Sequence, residues 1–151
     1  MASLRLTRRT AWLLGVSIAL GVAPAEGGEP SPPEFKVIVH PERPAELHRA
    51  FLADAFLKNV SRWSDDEAIR PVDQRQDAAA RRRFSEQVLR RSVEAVKTYW
   101  QQRIFSGRGV PPPELDSDEA VVRYVESHVG AVGYISGTAS AGKTRVIKII
   151  P

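Results

Sequence analysis

The N-terminal 25 residues carry the pattern that most strongly limits which part of the chain can fold. Three arginines within the first nine residues precede an apolar run from Ala11 to Val22, and the small residues Ala23, Pro24 and Ala25 follow. This order is typical of a secretory signal peptide cleaved after Ala25. The apolar run, about 12 residues, is shorter than the roughly 20 that a membrane-spanning helix needs. We therefore predict an exported, periplasmic protein without a stable membrane span after cleavage. A retained N-terminal anchor is the alternative.

The composition excludes several classes of function. The chain has no cysteine, which rules out disulfides, thiol catalysis and cysteine-ligated metal sites. Its 22 basic and 18 acidic residues give a net charge of +4, but three of the arginines lie in the predicted leader, so the remainder carries 19 − 18, or +1. A nearly neutral chain without basic stretches interleaved with aromatic residues is a poor candidate for nucleic-acid binding.

The first half of the remaining chain predicts a linker followed by strand, helix and strand. Residues 26–34 are rich in proline and glycine, so we assign them to a linker and residues 35–151 to one domain. A β-rich run at 35–40 is ended by a proline. Residues 45–57 predict a helix with a broad apolar arc, for which we expect burial within the molecule. Residues 68–73 predict a short strand, which its proline restricts to an edge or a strand end.

The second half predicts two helices, at 77–90 and 92–105, and then a proline-rich loop at 106–113. A third helix at 116–129 follows, and then two strands, at 131–136 and 145–150, joined as a hairpin. We expect Ser92 to be the N-cap of the second helix, with a buried stripe of Val93, Val96, Trp100 and Ile104. Asp116 is expected to be the N-cap of the third, and Glu119 to complete a capping box. The order β-α-β-α-α-α-β-β indicates an α/β fold.

Residues 137–144 match G-x-x-x-x-G-K-T, the phosphate-binding loop of many nucleotide hydrolases. That loop requires a helix beginning at its Lys-Thr, whereas Arg145 to Ile150 favour a strand. We therefore interpret the segment as a hairpin turn rich in small residues.

The arginines of the 77–90 helix are the other candidate. Successive helical residues are rotated by about 100°, so Arg81, Arg82 and Arg83 point in different directions. Only Arg81 lies near the Phe84/Val88 stripe, where it can extend along the edge of the core and offer its guanidinium to an anion. Arg82 and Arg83 are expected to face water, and a plain solvated helix face is the alternative for all three. The three histidines have no metal-ligand spacing and no catalytic set stands out, so we predict no metal, no cofactor and no enzyme.

Three segments together resemble the phosphate-type substrate-binding proteins of ABC importers: residues 55–63 (AFLKNVSRW), 99–107 (YWQQRIFSG) and 128–135 (HVGAVGYI). The resemblance spans about residues 35–150. It implies a type 2 periplasmic-binding fold, in which two α/β lobes close over a ligand, and the chain has room for about one such lobe. We therefore expect a single lobe with a small mixed sheet flanked by about four helices.

The departures from that family concern its anion site. The family usually has glycine where Lys58 stands, so we expect Asn59 to take the left-handed conformation instead. Two-lobed relatives hold phosphate with an arginine and a Ser-Gly-Thr loop at a helix N-terminus. Arg75 stands at the position of that arginine. Alanines at 78–80 stand where the family has hydroxyl side chains, and Asp77 disfavours a second anion near that helix end.

The resulting function prediction is an exported, non-enzymatic binding-protein-like domain. Its partner is predicted to be phosphate or another small anion, held weakly near Arg75 and Arg81. The alternative is an interaction or assembly module that reuses the lobe as a scaffold. It would dock an envelope protein, or a second copy of itself, through the Phe51/Leu52/Phe56 face or the 106–113 loop.

Overall fold

The computed structural model of the protein describes residues 34–151. The predicted signal peptide and all but the last residue of the predicted linker lie outside this part of the chain. The strands are β1 (Phe35–Val39), β2 (Glu46–His48), β3 (Arg70–Pro71), β4 (Asp73–Gln74), β5 (Glu114–Leu115), β6 (Ala131–Ser136), β7 (Arg145–Val146) and β8 (Lys148–Ile150). The helices are α1 (Arg49–Phe56), α2 (Ala79–Phe84), α3 (Val93–Phe105) and α4 (Asp118–Ser127). A π-helical turn, Ser85–Leu89, continues α2.

The main sheet is small and mixed, as predicted. Its order is β3-β6-β1-β7, with β1 antiparallel to both β6 and β7 and β3 parallel to β6. Two further pairs, β2 with β8 and β4 with β5, are parallel. The proline-containing strand β3 lies at the edge of the sheet, where a residue without an N–H does least harm.

Both faces of the sheet are buried, because strand side chains alternate between the faces. On β1, Val37 and Val39 join the larger core cluster, and Ile38 joins the smaller one. Helices α1, α2 and α3 supply the larger cluster and α4 supplies the smaller. Leu52 and Phe56 of α1 are buried, which confirms the expected intramolecular burial of its apolar arc. That burial also removes most of the predicted docking face on this helix.

Several predicted boundaries are wrong for reasons of tertiary structure. The predicted helix at 45–57 begins only at Arg49, because the preceding residues form β2 and pair with β8. The 77–90 helix forms α2 and its π turn, and it ends at Arg90 with φ of 56°. The predicted hairpin of 131–136 and 145–150 does not form, since β1 lies between β6 and β7.

The helix caps show one success and one error. Ser92 is the N-cap of α3, as predicted, and its hydroxyl accepts a hydrogen bond from Ala95 N–H. The N-cap of α4 is Ser117, which bonds Ala120 N–H at 3.2 Å, so the assignment to Asp116 is wrong by one residue. Ile104, placed in the buried stripe of α3, is 49% exposed.

None of the helices within residues 34–151 is long and apolar enough to cross a membrane.

Candidate functional site

Strand pairing brings two acidic residues together beside the main sheet. After β3, Val72 N–H still donates to Val132 on β6. The chain then leaves the sheet, and β4 pairs with β5, which sets Asp73 opposite Glu114. Asp73 is buried, whereas the Glu114 side chain is 42% exposed.

Arg81, from the first turns of α2, lies against both acids. Its Nη1 forms an ion pair with Asp73 Oδ2, donates to the Gln74 carbonyl at 3.0 Å and lies 3.8 Å from Glu114 Oε1. The residue is only 4% exposed. Its Nε is buried and has no hydrogen-bond partner among the described residues. Arg43 Nε, Arg103 Nε and Ser85 Oγ are also buried without a partner among the described residues, but of these four residues only Arg81 lines the cleft described below.

Tyr134 contacts Asp73 on the side that faces the core. Its hydroxyl donates to Asp73 Oδ1, and its ring stacks on Phe84 at 4.1 Å with the planes 9° apart. Tyr134 and Phe84 are both fully buried, so packing fixes the phenol where it holds the carboxylate.

Gln74 ties this cluster to α4. Its Nε2 donates to the Tyr134 carbonyl at 2.8 Å and to Asp118 Oδ1 at 2.7 Å. Asp118, in the first turn of α4, also accepts from Ser136 N–H at 3.0 Å. The cluster is therefore held by two helices and the centre of the sheet.

Burial dominates the electrostatics of the cluster. It raises the pKa of Asp73 to about 6, although the positive charge of Arg81 and the hydrogen bond from Tyr134 act in the opposite direction. Burial, together with the neighbouring Asp73 charge, raises the pKa of Tyr134 well above its usual value. At neutral pH the centre is thus an ionised carboxylate between a guanidinium and a neutral phenol.

A cleft of about 160 Å³ opens beside this centre. Its charged lining consists of Asp73, Arg81, Lys97 and Glu114, two acids and two bases. The rest of the wall is apolar or neutral: Gln76, Trp100, Gln101, Ile104 and Pro111. Such a mixed lining suits a small molecule with one polar end.

The two predicted site residues have different surroundings. Arg81 lines the cleft at the edge of the core, and Arg82 and Arg83 are exposed, as expected. Arg75 is exposed and is paired with Asp77, Nε to Oδ1 at 2.9 Å and Nη2 to Oδ2 at 2.8 Å. The structure does not bring Arg75 and Arg81 together in the cleft.

Sequence reasoning missed the other members of the site. The sequence predicts Asp73 only as the last residue of a strand, because no local pattern indicates its ion pair with Arg81, eight residues away. The sequence does contain an indication for Tyr134, because a tyrosine buried in a central strand needs a hydrogen-bond partner for its hydroxyl. Lys97 and Glu114 come to the cleft from different elements, which only the tertiary fold brings together.

The segment 137–144, which matches the phosphate-loop motif, leaves no space for a phosphate beside Gly142 and Lys143. Lys143 N–H donates to Glu126 Oε1 at 2.7 Å, and a Cβ added at Gly142 would lie 2.5 Å from the same oxygen. The strand β7 follows where the nucleotide-binding motif needs a helix. In residues 34–151, no group of three or more His, Asp or Glu side chains is placed to hold a metal ion.

The architecture of residues 34–151 corresponds to a known fold. The chain has the α/β fold of one lobe of a type 2 periplasmic-binding protein, with a mixed sheet covered by helices on both faces.

Solved structures of phosphate transport proteins share this fold. A phosphate ABC transporter substrate-binding protein from Clostridium perfringens, solved with phosphate bound, matches at a TM-score of 0.60 and 19% identity, over 77% of this chain and 44% of that one. PstS from Borrelia burgdorferi matches at 0.59 and 11%, over 77% and 47%. An ABC-type phosphate transport receptor from Vibrio cholerae matches at 0.52 and 16%, over 77% and 46%.

This chain spans less than half the length of each of these structures, and identities this low define the fold alone. No protein-family model matches the chain, and no curated protein matches it.

Proposed function

We propose that this protein is an exported, non-enzymatic solute-binding domain that holds a small anion weakly in the cleft beside Arg81. The observation that carries the proposal is the buried guanidinium of Arg81, which lines a cleft, has an unpartnered Nε and shares that cleft with Lys97. Arginine is the side chain best suited to a planar or tetrahedral oxyanion, because its donors form a rigid fork.

The anion is held weakly because the cleft already contains its own counter-ions. Asp73 contacts the guanidinium directly and Glu114 lies 3.8 Å from it. An incoming anion must share Arg81 with these two carboxylates, so only Lys97 adds uncompensated attraction. We expect millimolar rather than micromolar affinity for inorganic phosphate.

Calorimetry and NMR titration with inorganic phosphate test this proposal. Lys97→Gln removes the exposed cation of the cleft and should weaken phosphate binding about five-fold, equivalent to about 1 kcal/mol at low ionic strength. Arg82→Gln is the matched control, because Arg82 is an exposed cation on α2 that does not line the cleft. A phosphate affinity that is unchanged in Lys97→Gln would contradict the site.

Export, the periplasmic location and the absence of catalysis are parts of the same proposal. The N-terminal pattern of three arginines and an apolar run supports export. The neighbours in fold are binding and transport proteins, which supports a binding role without chemistry. Fractionation of expressing cells, with mass spectrometry of the N-terminus, checks both the compartment and cleavage after Ala25.

A second candidate function is docking of an envelope protein or a second copy of the chain. The specific observation in its favour is a set of exposed apolar side chains in the 106–113 loop and at the end of α3 that precedes it: Val110 at 61%, Ile104 at 49% and Phe105 at 91% exposed. If this surface docks a second copy, light scattering after size exclusion should give twice the monomer mass, and Phe105→Asp should restore the monomer. A monodisperse monomer at high concentration would exclude self-association.

A further inference from the structure

We infer that the ligand of this cleft is an organic carboxylate bearing an apolar group, rather than inorganic phosphate. The inference rests on the proposed function, namely that the Arg81 cleft binds an anion, and specifies the chemical class of that anion. Three features of the cleft support it: its charge balance, the donors of Arg81 and its apolar wall.

The charge balance favours a single negative charge on the ligand. Arg81 and Lys97 carry two positive charges, and Asp73 and Glu114 carry two negative ones. A cleft that is neutral overall gives little compensation for the second charge of a phosphate dianion, which would lie near the Asp73 and Glu114 carboxylates. A carboxylate brings one charge and leaves less repulsion.

The donors of Arg81 suit a planar group. The hydrogen bond to the Gln74 carbonyl and the ion-pair contacts with Asp73 and Glu114 are made by Nη1, whereas Nε has no partner among the described residues. A guanidinium can present Nε and Nη2 as a second parallel pair of donors, the geometry that a carboxylate accepts with both oxygens. A ligand carboxylate that reaches this edge of the guanidinium would satisfy the donor that the fold leaves unpaired.

The wall of the cleft suits an apolar group attached to that carboxylate. Trp100 and Pro111 line it, and Ile104 lies one helical turn beyond Trp100 on α3. Ile104 remains 49% exposed although Val96 and Trp100 on the same side of the helix are buried. A bare oxyanion would leave this surface in water, whereas an aromatic or branched apolar group would cover it.

The test compares four probes by NMR titration of the purified protein: phenylacetate, acetate, 2-phenylethanol and inorganic phosphate. Phenylacetate carries both the charge and the apolar group, and each of the others lacks one of them. The indole N–H signals of Trp100 and Trp63 provide an internal comparison, because Trp100 lines the cleft and Trp63 does not. Phenylacetate should move the Trp100 signal and leave that of Trp63, whose Nε1 donates to the Gly130 carbonyl, unmoved.

Phenylacetate should bind about ten-fold more tightly than acetate, which corresponds to about 1.4 kcal/mol. At ~25 cal/mol per Å², that gain needs only about 55 Å² of newly buried apolar surface. Ile104→Thr should weaken phenylacetate about three-fold and leave acetate unchanged. Phe105→Thr, the neighbouring exposed position outside the cleft lining, should change neither.

The outcomes separate this inference from the proposed function. If phosphate binds through Arg81 and Lys97 at least as tightly as phenylacetate, the ligand class is wrong and the anion site remains. Equal affinities for phenylacetate and acetate would also show that the ligand class is wrong and that the anion site remains. If no anion perturbs Trp100 or Lys97 at high millimolar concentration, both the inference and the proposed function fail. Equal binding of 2-phenylethanol and phenylacetate would show an apolar pocket without an anion site, which also overturns both.

Discussion

At the scale of single residues, Lys58 shows how this chain ends α1 without a glycine. Lys58 itself has φ of 54°, and Asn59 is not among the described residues with positive φ, so the expectation for Asn59 is wrong. The turn is fixed by backbone bonds from Lys58 N–H to the Ala55 carbonyl and from Asn59 N–H to the Asp54 carbonyl. The left-handed conformation costs a residue with a Cβ about 1–2 kcal/mol.

Lys58→Gly should therefore stabilise the protein by about 1 kcal/mol, since glycine adopts this φ without a steric cost. Denaturant unfolding of the variant and of wild type measures the difference. Asn59→Gly is the control and should destabilise, because it removes the bond from Asn59 Nδ2 to Asp54 Oδ1 and adds freedom to the unfolded chain. A destabilised Lys58→Gly variant would show that the turn carries no strain.

Asp73 makes stability depend on pH in the direction opposite to an ordinary ion-paired acid. Its pKa in the fold, about 6, lies above the value of 3.8 for the free side chain. The folded state therefore holds a proton more tightly than the unfolded state, and this contribution to stability is lost as pH rises from about 4 to about 6. At about 1.4 kcal/mol per pKa unit, the loss is about 3 kcal/mol at most.

NMR titration of carboxyl carbons measures this directly. Asp73 should titrate near pH 6, whereas Asp65 should titrate below its usual range, since hydrogen bonding to Arg43 lowers the pKa of Asp65. An Asp73 midpoint at or below that of Asp65 would mean that the ion pair with Arg81, rather than burial, controls the buried carboxylate.

At the scale of elements, the contact between β6 and α4 depends on the absence of a side chain at Gly133. A Cβ there would lie 2.7 Å from Val121 Cγ1 and 2.9 Å from Val72 Cγ2, and both valines are fully buried. Gly133 is thus required by close packing in the smaller core cluster.

Gly133→Ala should destabilise the protein by about 1–3 kcal/mol, the usual cost of overpacking a core. Val121→Ala in the same chain should recover part of that loss, because it removes the methyl group that clashes. A double-mutant cycle by denaturant unfolding gives the coupling between the two positions. Additive effects would show that the sheet and helix adjust without this contact.

The sequence predicted the elements well where the signal was local and less well where pairing decided. The strands at Phe35–Val39 and Ala131–Ser136 and the Ser92 cap follow from β-rich runs and a capping side chain. The sequence predicts Glu46–His48 as part of a helix. The segment is instead a strand, because it pairs with Lys148–Ile150, about 100 residues away, and no local pattern indicates that pairing. The π turn at Ser85–Leu89 has no sequence pattern of its own.

At the scale of the whole molecule, the fold was predictable and most of the site was not. Three motifs indicated one lobe of a binding-protein fold, and the apolar stripe of the 77–90 helix placed Arg81 at the edge of the core. The interaction that decides how Arg81 behaves, its ion pair with Asp73, arises from tertiary contacts that bring β4 against α2. We therefore propose that Arg81 is shared between the Asp73 carboxylate and an incoming anion.

The pKa of Asp73 with and without saturating trifluoroacetate measures this sharing. Trifluoroacetate is a planar monoanion whose charge stays constant between about pH 4 and pH 8. If trifluoroacetate and the Asp73 carboxylate compete for Arg81, binding of one must weaken the other, and the coupling is reciprocal. Trifluoroacetate should then raise the pKa of Asp73 by about half a unit or more and leave that of Asp65, paired with Arg43, unchanged. An Asp73 pKa that stays the same at saturating trifluoroacetate would contradict the sharing of Arg81, because the anion would then be bound somewhere other than at Arg81.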